Sequence, residues 1–295
     1  MKTSFVATIL NEAQTITSLL DSIASQTKLP DEVILVDAGS TDQTHNLIKK
    51  HKLITKLIIK PGLNRSQARN LAIQSSKHQI ITLSDAGCTL DPHWLERITE
   101  AFQTPSVQTV AGYYQTTTTG VLSQSLAPYV AVMPDKFDSN TYLPSSRSLA
   151  LRKSAWQQVS GYPENLNYCE DLIFAKKLKD NTRMVVKSDA IVFWQTPTTL
   201  SAFYENLKNY SSGDVLAGYW PHIVKIITVY LRYLIFFGIP PLFAAYLFWP
   251  IIKFNRYVKS IKAWIYLPLA QITADLAVMR GGLLGLKLRL MNLVP

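Results

Sequence analysis

The first 115 residues alternate short apolar runs with segments of helical character. Four runs, at residues 4–10, 32–37, 54–60 and 79–84, have the length and the branched apolar content of buried strands. Between them lie segments whose apolar residues recur every three or four positions, as on the buried face of a helix. Strands joined through helices run parallel, and the helices then cover both faces of the sheet. The sequence therefore predicts an α/β fold with a mostly parallel sheet and helices on both faces.

The C-terminal quarter differs from the rest in charge. Residues 221–295 contain nine Lys or Arg residues and one acid, Asp275, whereas the first 220 residues contain 21 bases and 19 acids. A nucleic-acid-binding protein would be expected to carry its basic stripe on the folded domain. Here the bases flank apolar segments, which is typical of proteins held at an anionic membrane surface. We therefore predict a domain at residues 1–220, membrane-associated helices at residues 221–295, membrane lipids as partners and no nucleic acid.

Two apolar segments leave the membrane topology open. Residues 233–252 carry no charge and are about as long as a helix that spans a bilayer, but Pro240 and Pro241 would break or kink a straight helix. The second segment, residues 263–279, is interrupted by Asp275. Two spanning helices would place the basic loop between them outside, against the positive-inside tendency, whereas an in-plane or re-entrant hairpin would keep it on the cytosolic side. A buried core helix is a third explanation of residues 233–252.

The N-terminus and the cysteines bear on the compartment. The apolar run in "MKTSFVATILNE" is too short for a secretory signal peptide. Cys88 and Cys169 form neither a disulfide framework nor a zinc-site spacing. We therefore expect the main domain on the cytoplasmic side of the cell membrane, with both thiols reduced.

Polar side chains follow three of the predicted strands, at the point where each strand ends. In open parallel sheets, ligands bind outside these carboxyl ends. Carboxylates there can accept hydrogen bonds from a ribose or a base and can hold Mg²⁺ or Mn²⁺, and the small residues after Asp85 let a phosphate approach the backbone. Asn11 and Asp42 also suit helix caps, and the chain has no P-loop or dinucleotide-binding glycine motif. The strand-end residues are Asn11, Glu12, Asp37, Ser40, Asp42, Ser84 and Asp85.

Several stretches resemble family 2 glycosyltransferases with the GT-A fold. They are "FVATILNEAQTITSLLDSIASQT", "EVILVDAGSTDQT", "NRSQARNLAI", "ITLSDAGC", "SSRSLALRKSAWQQVSGYPENL" and "CEDLIFAKKL". They occur in consistent order within about residues 4–215. The resemblance implies the GT-A fold and an inverting, bacterial-type, membrane-associated glycosyltransferase that uses a nucleotide-sugar donor.

The resemblance also implies roles for individual residues. Asp37 would lie closest to the base of the nucleotide, and Arg65 and Arg69 near the nucleotide, although ordinary helix-surface charge also explains these two arginines. Asp85 matches the first acid of the family's Asp-x-Asp metal motif, but Gly87 replaces the second acid. Mg²⁺ or Mn²⁺ is therefore expected to depend on the diphosphate and water for its remaining ligands. The implied donor-binding set is Asn11, Glu12, Asp37, Ser40, Asp42, Arg65, Arg69 and Ser84.

The pair Glu170–Asp171 matches the Glu-Asp pair that supplies the catalytic base in inverting members of the family. The resemblance implies that Asp171 takes the proton of the acceptor hydroxyl, with Glu170 beside it. An acid pair that opens a helix also improves the helix dipole, which is the alternative explanation. Lys208 and Tyr210 are candidates for an element that closes over the substrates, although an ordinary helix surface explains them as well.

We therefore predict transfer of a single sugar to a polyprenyl phosphate or a lipid-linked glycan, in cell-envelope glycan biosynthesis. Single transfer is favoured because the Gln-x-x-Arg-Trp signature of the processive polymerases is missing. A nucleotidyltransferase and a catalytically silent membrane scaffold are the alternatives, and Gly87 is the residue that favours the scaffold.

Overall fold

The computed structural model describes residues 1–293 and divides them into two compact units. The sheet unit comprises residues 1–115 and 137–194. The helical unit comprises residues 116–136 and the chain from residue 195 onward. The chain therefore enters the helical unit, returns to the sheet unit and leaves it again. The functional boundary that we predict at residue 220 stays a prediction.

The sheet contains eight strands in the described residues, in the spatial order β3-β2-β1-β4-β7-β6-β8-β5. Strands β1 to β4 run parallel to their neighbours among themselves, whereas β7 is antiparallel to both β4 and β6, and β5 is antiparallel to β8. The predicted fold is thus confirmed, as a mixed sheet with a parallel half. The strands are β1 (Thr3–Ile9), β2 (Glu32–Asp37), β3 (Lys56–Ile59), β4 (Ile80–Leu83), β5 (Cys88–Leu90), β6 (Thr109–Thr117), β7 (Leu149–Arg152) and β8 (Met184–Gln195).

Helices cover both faces of the sheet, and alternate side chains of β1 pack against the helices on opposite faces. Phe5 and Ile9 point to one face and join a cluster with Leu19, whereas Val6 points to the other face and joins a cluster with Ala72. All six residues of β2 are buried, as expected for a parallel strand covered on both sides. The helices are α1 (Ile16–Ala24), α2 (Thr44–Lys49), α3 (Arg65–Ser75), α4 (Trp94–Glu100), α5 (Val121–Val130), α6 (Lys153–Gln158), α7 (Glu170–Asn181), α8 (Leu200–Leu216), α9 (Trp220–Gly238), α10 (Pro240–Phe254) and α11 (Ala263–Leu293).

The helical unit consists of α5 and α8 to α11. The apolar segment 233–252 is not one helix, because α9 ends at Gly238 and α10 begins at Pro240, where the sequence predicts a break. Within residues 1–293, two helices are long and apolar enough to cross a bilayer: α9 and residues 263–291 of α11. Leu126 of α5 and Phe203 of α8 are fully buried and form the core of this unit with the alanines of α11.

Candidate active site

Asn11 joins the loops that follow β1 and β2. Its Oδ1 accepts a hydrogen bond of 2.8 Å from the backbone N–H of Thr41, and its own N–H donates to Ser40 Oγ at 2.8 Å. Asn11 adopts a left-handed backbone conformation (φ +55°), which Asn tolerates better than most residues. Asn11 is thus not a helix cap, because α1 begins only at Ile16. The two loops form one surface at the carboxyl edge of the sheet.

Asp37 is fully buried and organises the loop after β2. Its Oδ1 accepts hydrogen bonds of 2.7 Å from the backbone N–H groups of both Gly39 and Ser40. Its Oδ2 lies 2.7 Å from His45 Nε2, at an angle that does not meet hydrogen-bond geometry. Gly39 has φ +113°, which disfavours any residue with a side chain. In this structure Asp37 therefore shapes the loop that presents Ser40.

Glu12 and Asp42 stand on the same edge. The backbone N–H of Ala13 donates to Asp42 Oδ2 at 3.1 Å, and that of Thr44 donates to Oδ1 at 3.0 Å. Glu12 Oε2 accepts a hydrogen bond from the Thr15 hydroxyl. Burial raises the pKa of Glu12, and the nearby charge of Asp85 raises it further. Glu12 therefore lies within electrostatic range of the predicted metal ligand.

Arg69 holds two of the predicted acids together. Its Nη2 donates to Asp85 Oδ1 at 2.7 Å and its Nη1 donates to Glu170 Oε1 at 2.6 Å. The Arg69 and Glu170 side chains are only 6% and 4% exposed, and that of Asp85 is 29% exposed. Helix α3, whose first turn is closed by a capping box between Asn64 and Gln67, carries Arg69 into this position. Arg69 is thus the centre of a buried charge network rather than a surface charge.

The charges around Asp85 control its protonation. Burial by itself would raise the pKa of Asp85, but the guanidinium groups of Arg69, Arg147 and Arg65 outweigh it and lower the pKa to about 2. Burial raises the pKa of Glu170, although Arg69 opposes that shift. Asp85 is therefore a carboxylate at neutral pH, the state in which it can bind a cation.

Arg147 is a site residue that the sequence analysis missed. Its Nε lies 3.9 Å from Asp85 Oδ2, and its guanidinium stacks 4.5 Å from the ring centre of Trp194 and 5.0 Å from that of Tyr114. It also donates to Ser145 Oγ at 3.2 Å. Arg147 lies in a loop before β7, where no periodic pattern marks a functional residue. Its only sequence signal is its place in "SSRS", one of the stretches that carry the family resemblance.

Glu170 and Asp171 begin α7 but have different surroundings. Glu170 is buried and paired with Arg69, whereas Asp171 is half-buried and makes no ion pair within the described part of the chain. Asp171 Oδ2 accepts a hydrogen bond of 3.1 Å from the Ser145 hydroxyl, and Oδ1 accepts one of 2.8 Å from the backbone N–H of Leu172. The preceding Cys169 has φ +66°, so the chain turns sharply just before the pair. Asp171 is therefore fixed in orientation but partly accessible.

The remaining predicted residues lie in three different parts of the structure. Ser84 is buried at the end of β4, beside Asp85. Arg65 is 41% exposed, with Nη1 3.8 Å from Glu170 Oε1. Lys208 and Tyr210 belong to α8 in the helical unit, where Lys208 pairs with Glu205 at 2.5 Å. Burial raises the pKa of Cys88 to about 12, so this thiol stays protonated at neutral pH.

The donor set for a divalent ion is small. In the described residues, no group of three or more His, Cys, Asp or Glu side chains could hold a metal ion. Asp85 offers one carboxylate, and Arg69 already occupies its Oδ1. A side chain at Gly87 would meet nothing within 4 Å, so the space for a second ligand is open. These residues fit an ion that the diphosphate of a donor brings with it, and do not fit a preformed protein-only metal site.

Comparison with protein families identifies the chain. The sequence model of Glycosyl transferase family 2 matches residues 4–157, just over half of the 295 residues. The mixed sheet, with acids and hydroxyls along one edge, agrees with this match. The chain belongs to glycosyl transferase family 2. The predicted family and enzyme class are confirmed, and the nucleotidyltransferase and scaffold alternatives are not supported.

Two similar proteins agree with this assignment. The O-antigen chain rhamnosyltransferase RfbN of Salmonella typhimurium (strain LT2) is 26% identical over 192 residues, which cover 60% of this chain and 61% of that protein. The glycosyltransferase alr2836 of Nostoc sp. (strain PCC 7120), itself uncharacterized, is 30% identical over 111 residues, which cover 36% of this chain and 34% of that protein. The matched regions thus span less than two thirds of either relative.

Solved structures share the fold. The mannosyltransferase PcManGT from Pyrobaculum calidifontis, in complex with GDP-Man and Mn²⁺, matches with a TM-score of 0.59 at 19% identity, over 99% of this chain and 79% of that chain. S. aureus TarS matches with a TM-score of 0.55 at 20% identity, over 73% of this chain and 40% of that chain. At these identities the likeness establishes the GT-A fold.

Proposed function

We propose that the protein transfers one sugar, with inversion at the anomeric carbon, from a nucleotide sugar to a membrane-borne acceptor. The observation that carries the proposal is the contrast between two neighbouring acids. Glu170 is buried and held by Arg69, whereas Asp171 is half-buried, makes no ion pair in the described residues and is oriented by Ser145. Asp171 is thus the carboxylate that an acceptor hydroxyl can reach.

Asp171 acts as the general base in this mechanism. The acceptor hydroxyl loses its proton to Asp171 as its oxygen attacks the anomeric carbon from the face opposite the leaving diphosphate. The hydrogen bond from Ser145 to Oδ2 fixes the direction of the carboxylate. Glu170 has a positioning role, because its bond to Arg69 anchors the first turn of α7.

The leaving diphosphate meets a cationic surface. Arg65, Arg69 and Arg147 converge on the carboxylates of Asp85 and Glu170. The guanidinium groups of Arg65 and Arg147 contact these acids at 3.8 Å and 3.9 Å and can stabilise negative charge that develops on the diphosphate. Mg²⁺ or Mn²⁺, held between Asp85 and the diphosphate, would add Lewis-acid stabilisation of the same charge. Asn11, Glu12, Asp37, Ser40, Asp42 and Ser84 would line the nucleotide pocket at the carboxyl edge of the sheet.

The helical unit supports a membrane-borne acceptor. The exposed apolar surface of α9 to α11 and the basic residues beside it support attachment to the cytoplasmic side of the cell membrane. An enzyme held there meets lipid-borne acceptors, of which polyprenyl phosphate and a lipid-linked glycan are the candidates. The similarity to an O-antigen chain rhamnosyltransferase supports a role in envelope glycan synthesis.

A donor panel tests the proposal. We would measure nucleotide release from UDP-, GDP- and dTDP-sugars with Mg²⁺ or Mn²⁺ and a lipid extract as the acceptor source. Asp171→Asn should lower kcat by about 10² to 10⁴-fold and leave the donor KM nearly unchanged, because it removes only the base. Asp180→Asn, the same change at an exposed acid of the same helix, is the matched control and should keep wild-type activity.

The outcomes separate the parts of the proposal. An active Asp171→Asn enzyme would refute the role of Asp171 as base. Turnover on a soluble acceptor, with no gain from lipids, would refute the membrane-borne acceptor. Asp85→Ala should raise the donor KM and shift the metal dependence, and an unchanged metal titration would refute Asp85 as the ligand.

A further inference from the structure

Helix α11 has small residues on its buried face and large apolar residues on its exposed face. The leucine stripe, defined as Leu269, Leu276, Leu283, Leu286 and Leu290, is between 40% and 56% exposed. The buried residues are mostly small and include Ala270, Ala274, Ala277, Gly281 and Gly285; Leu267 and Asp275 are the large exceptions. In water the large apolar side chains would be expected inside. This reversed pattern is typical of helices that pack through small residues and turn their leucines toward lipid.

Helix α8 lies along the buried face of α11 with its backbone in direct contact. A Cβ at Gly281 would come within 2.1 Å of the Lys208 carbonyl oxygen, and one at Gly285 within 2.4 Å of the Ser212 carbonyl oxygen. The Ser211 hydroxyl donates to the Val278 carbonyl at 2.8 Å. The two helices therefore form one unit, and neither moves into a membrane without the other.

The polar character of α8 decides how this unit meets a bilayer. Helix α8 carries Glu205, Lys208 and Asp214, together with several amides and hydroxyls. If α11 crossed the bilayer, α8 would enter the hydrocarbon with these charges, which is strongly unfavourable. If α11 lies flat, its leucine stripe faces the acyl chains and α8 stays on the side of the water.

The neighbouring helices fit the flat arrangement. Helix α9 is fastened to α11, because the Tyr230 hydroxyl donates to the Met279 carbonyl at 2.6 Å. Helix α10 has 15 residues and is about 22 Å long, shorter than the hydrocarbon core of about 30 Å. The apolar side chains at the junction of the two helices are open, with Leu234 69% and Phe237 90% exposed.

Basic residues accompany the apolar surface. Lys253 lies in the last turn of α10, and Arg256, Lys259 and Lys262 lie between α10 and α11; all four are exposed. Arg280 and Lys287 are exposed within the leucine stripe itself, three or four positions from its leucines, so their long side chains must reach back to the headgroups. Exposed cations next to an apolar face match the anionic headgroups of a lipid surface. A second copy of this chain would bring the same positive charges against each other.

We propose that the helical unit inserts in the plane of one leaflet, with the leucine stripe toward the acyl chains and α8 toward water, and does not span the bilayer. This inference rests on the membrane attachment proposed above and is independent of the transfer chemistry. It decides between the two topologies that the sequence leaves open.

Cysteine accessibility at the two ends of α11 tests the proposal. Lys262→Cys and Arg289→Cys, both at exposed positions outside the leucine stripe, would be produced separately in bacterial cells and treated with a membrane-impermeant maleimide. The native Cys88 and Cys169 are buried, and the unchanged protein gives their background. We expect both engineered cysteines to react in inverted membrane vesicles and neither to react in intact spheroplasts. Reaction of one cysteine in each preparation means a spanning α11 and overturns the proposal.

A depth measurement gives a second, independent result. An environment-sensitive dye on Leu283→Cys should show blue-shifted emission and be quenched by lipids with doxyl groups on their acyl chains. The same dye on Ala202→Cys, an exposed position of α8, should be quenched by aqueous iodide instead. Equal responses at both positions would contradict the flat arrangement.

Failure to float with vesicles of phosphatidylcholine and phosphatidylglycerol, together with a stable dimer in solution, would overturn both the attachment and its geometry. If sugar transfer then persists without membranes, the transfer reaction does not depend on membrane attachment.

Discussion

Replacing Arg69 by Gln should cost far more stability than replacing its neighbour Arg65. Arg69 is 6% exposed and bonded at 2.6 Å to Glu170, which is itself 4% exposed. Removing one partner of a buried ion pair leaves a buried charge without compensation and costs about 3–5 kcal/mol. Arg65 contacts the same Glu170 oxygen, but at 3.8 Å and from a side chain that is 41% exposed. A pair of that kind contributes about 0–1 kcal/mol.

Thermal unfolding followed by tryptophan fluorescence measures the difference, because Trp94 and Trp156 lie in the sheet unit. A loss of about 3–5 kcal/mol should lower the Tm by roughly 10 °C, whereas Arg65→Gln should lower it by no more than about 3 °C. The double variant Arg69→Gln/Glu170→Gln should recover part of the loss, because the buried charge of Glu170 is then gone, although Asp85 still lacks its partner. Equal Tm values for the two single arginine variants would refute the argument from burial.

Two further predictions concern acid stability and helix packing. The pKa of Asp85 is about 2 in the folded chain and about 3.9 when unfolded. The folded state thus gains about 2–3 kcal/mol while Asp85 is charged, a gain present above about pH 4 and lost as the pH falls toward 2. The Tm of Asp85→Asn should therefore fall less than the Tm of the wild type between pH 6 and pH 3. Parallel plots of Tm against pH for the two proteins would contradict this. Gly281→Ala should destabilise the helical unit by about 1–3 kcal/mol, because its Cβ would lie 2.1 Å from the Lys208 carbonyl oxygen. Gly238→Ala, with nothing within 4 Å, is the control in the same thermal assay, and an equal effect would argue against the close contact of α8 and α11.

The parallel half of the sheet was predictable from sequence because each of its strands is a short, nearly continuous apolar run. The other half was harder to predict. Strand β5 has only three residues and β7 four, too few to show a period. The sequence predicts two strands, near residues 184–187 and 190–194, with the polar Ser188 and Asp189 between them, yet the structure has one strand of 12 residues. The segment 116–150 reads as loop-rich, but it contains α5, whose Pro128 hides the helical pattern.

The candidate site was also predictable from the sequence only in part. Residues at strand ends were identifiable because parallel strands bring their carboxyl ends to one edge. What each side chain contacts was not identifiable, since the partners lie far along the chain. Arg69 and Glu170 are 101 residues apart, and Asn11 and Thr41 are 30 apart. Arg147 escaped notice for the same reason, because only the folded chain brings it next to Asp85.

The path of the chain between the two units limits how the enzyme can be shortened. Residues 116–136 interrupt the sheet unit, and their helix α5 buries Leu126 among Phe203 and the alanines of α11. Cutting the protein after residue 194 or 220 would remove α11 and leave the apolar side of α5 in water, in the middle of the remaining polypeptide. A soluble catalytic fragment therefore requires replacing residues 116–136 by a short polar linker as well as removing the C-terminus. During synthesis, α5 likewise leaves the ribosome long before the helices that cover it, so it is the segment that a chaperone or a nearby membrane would meet first.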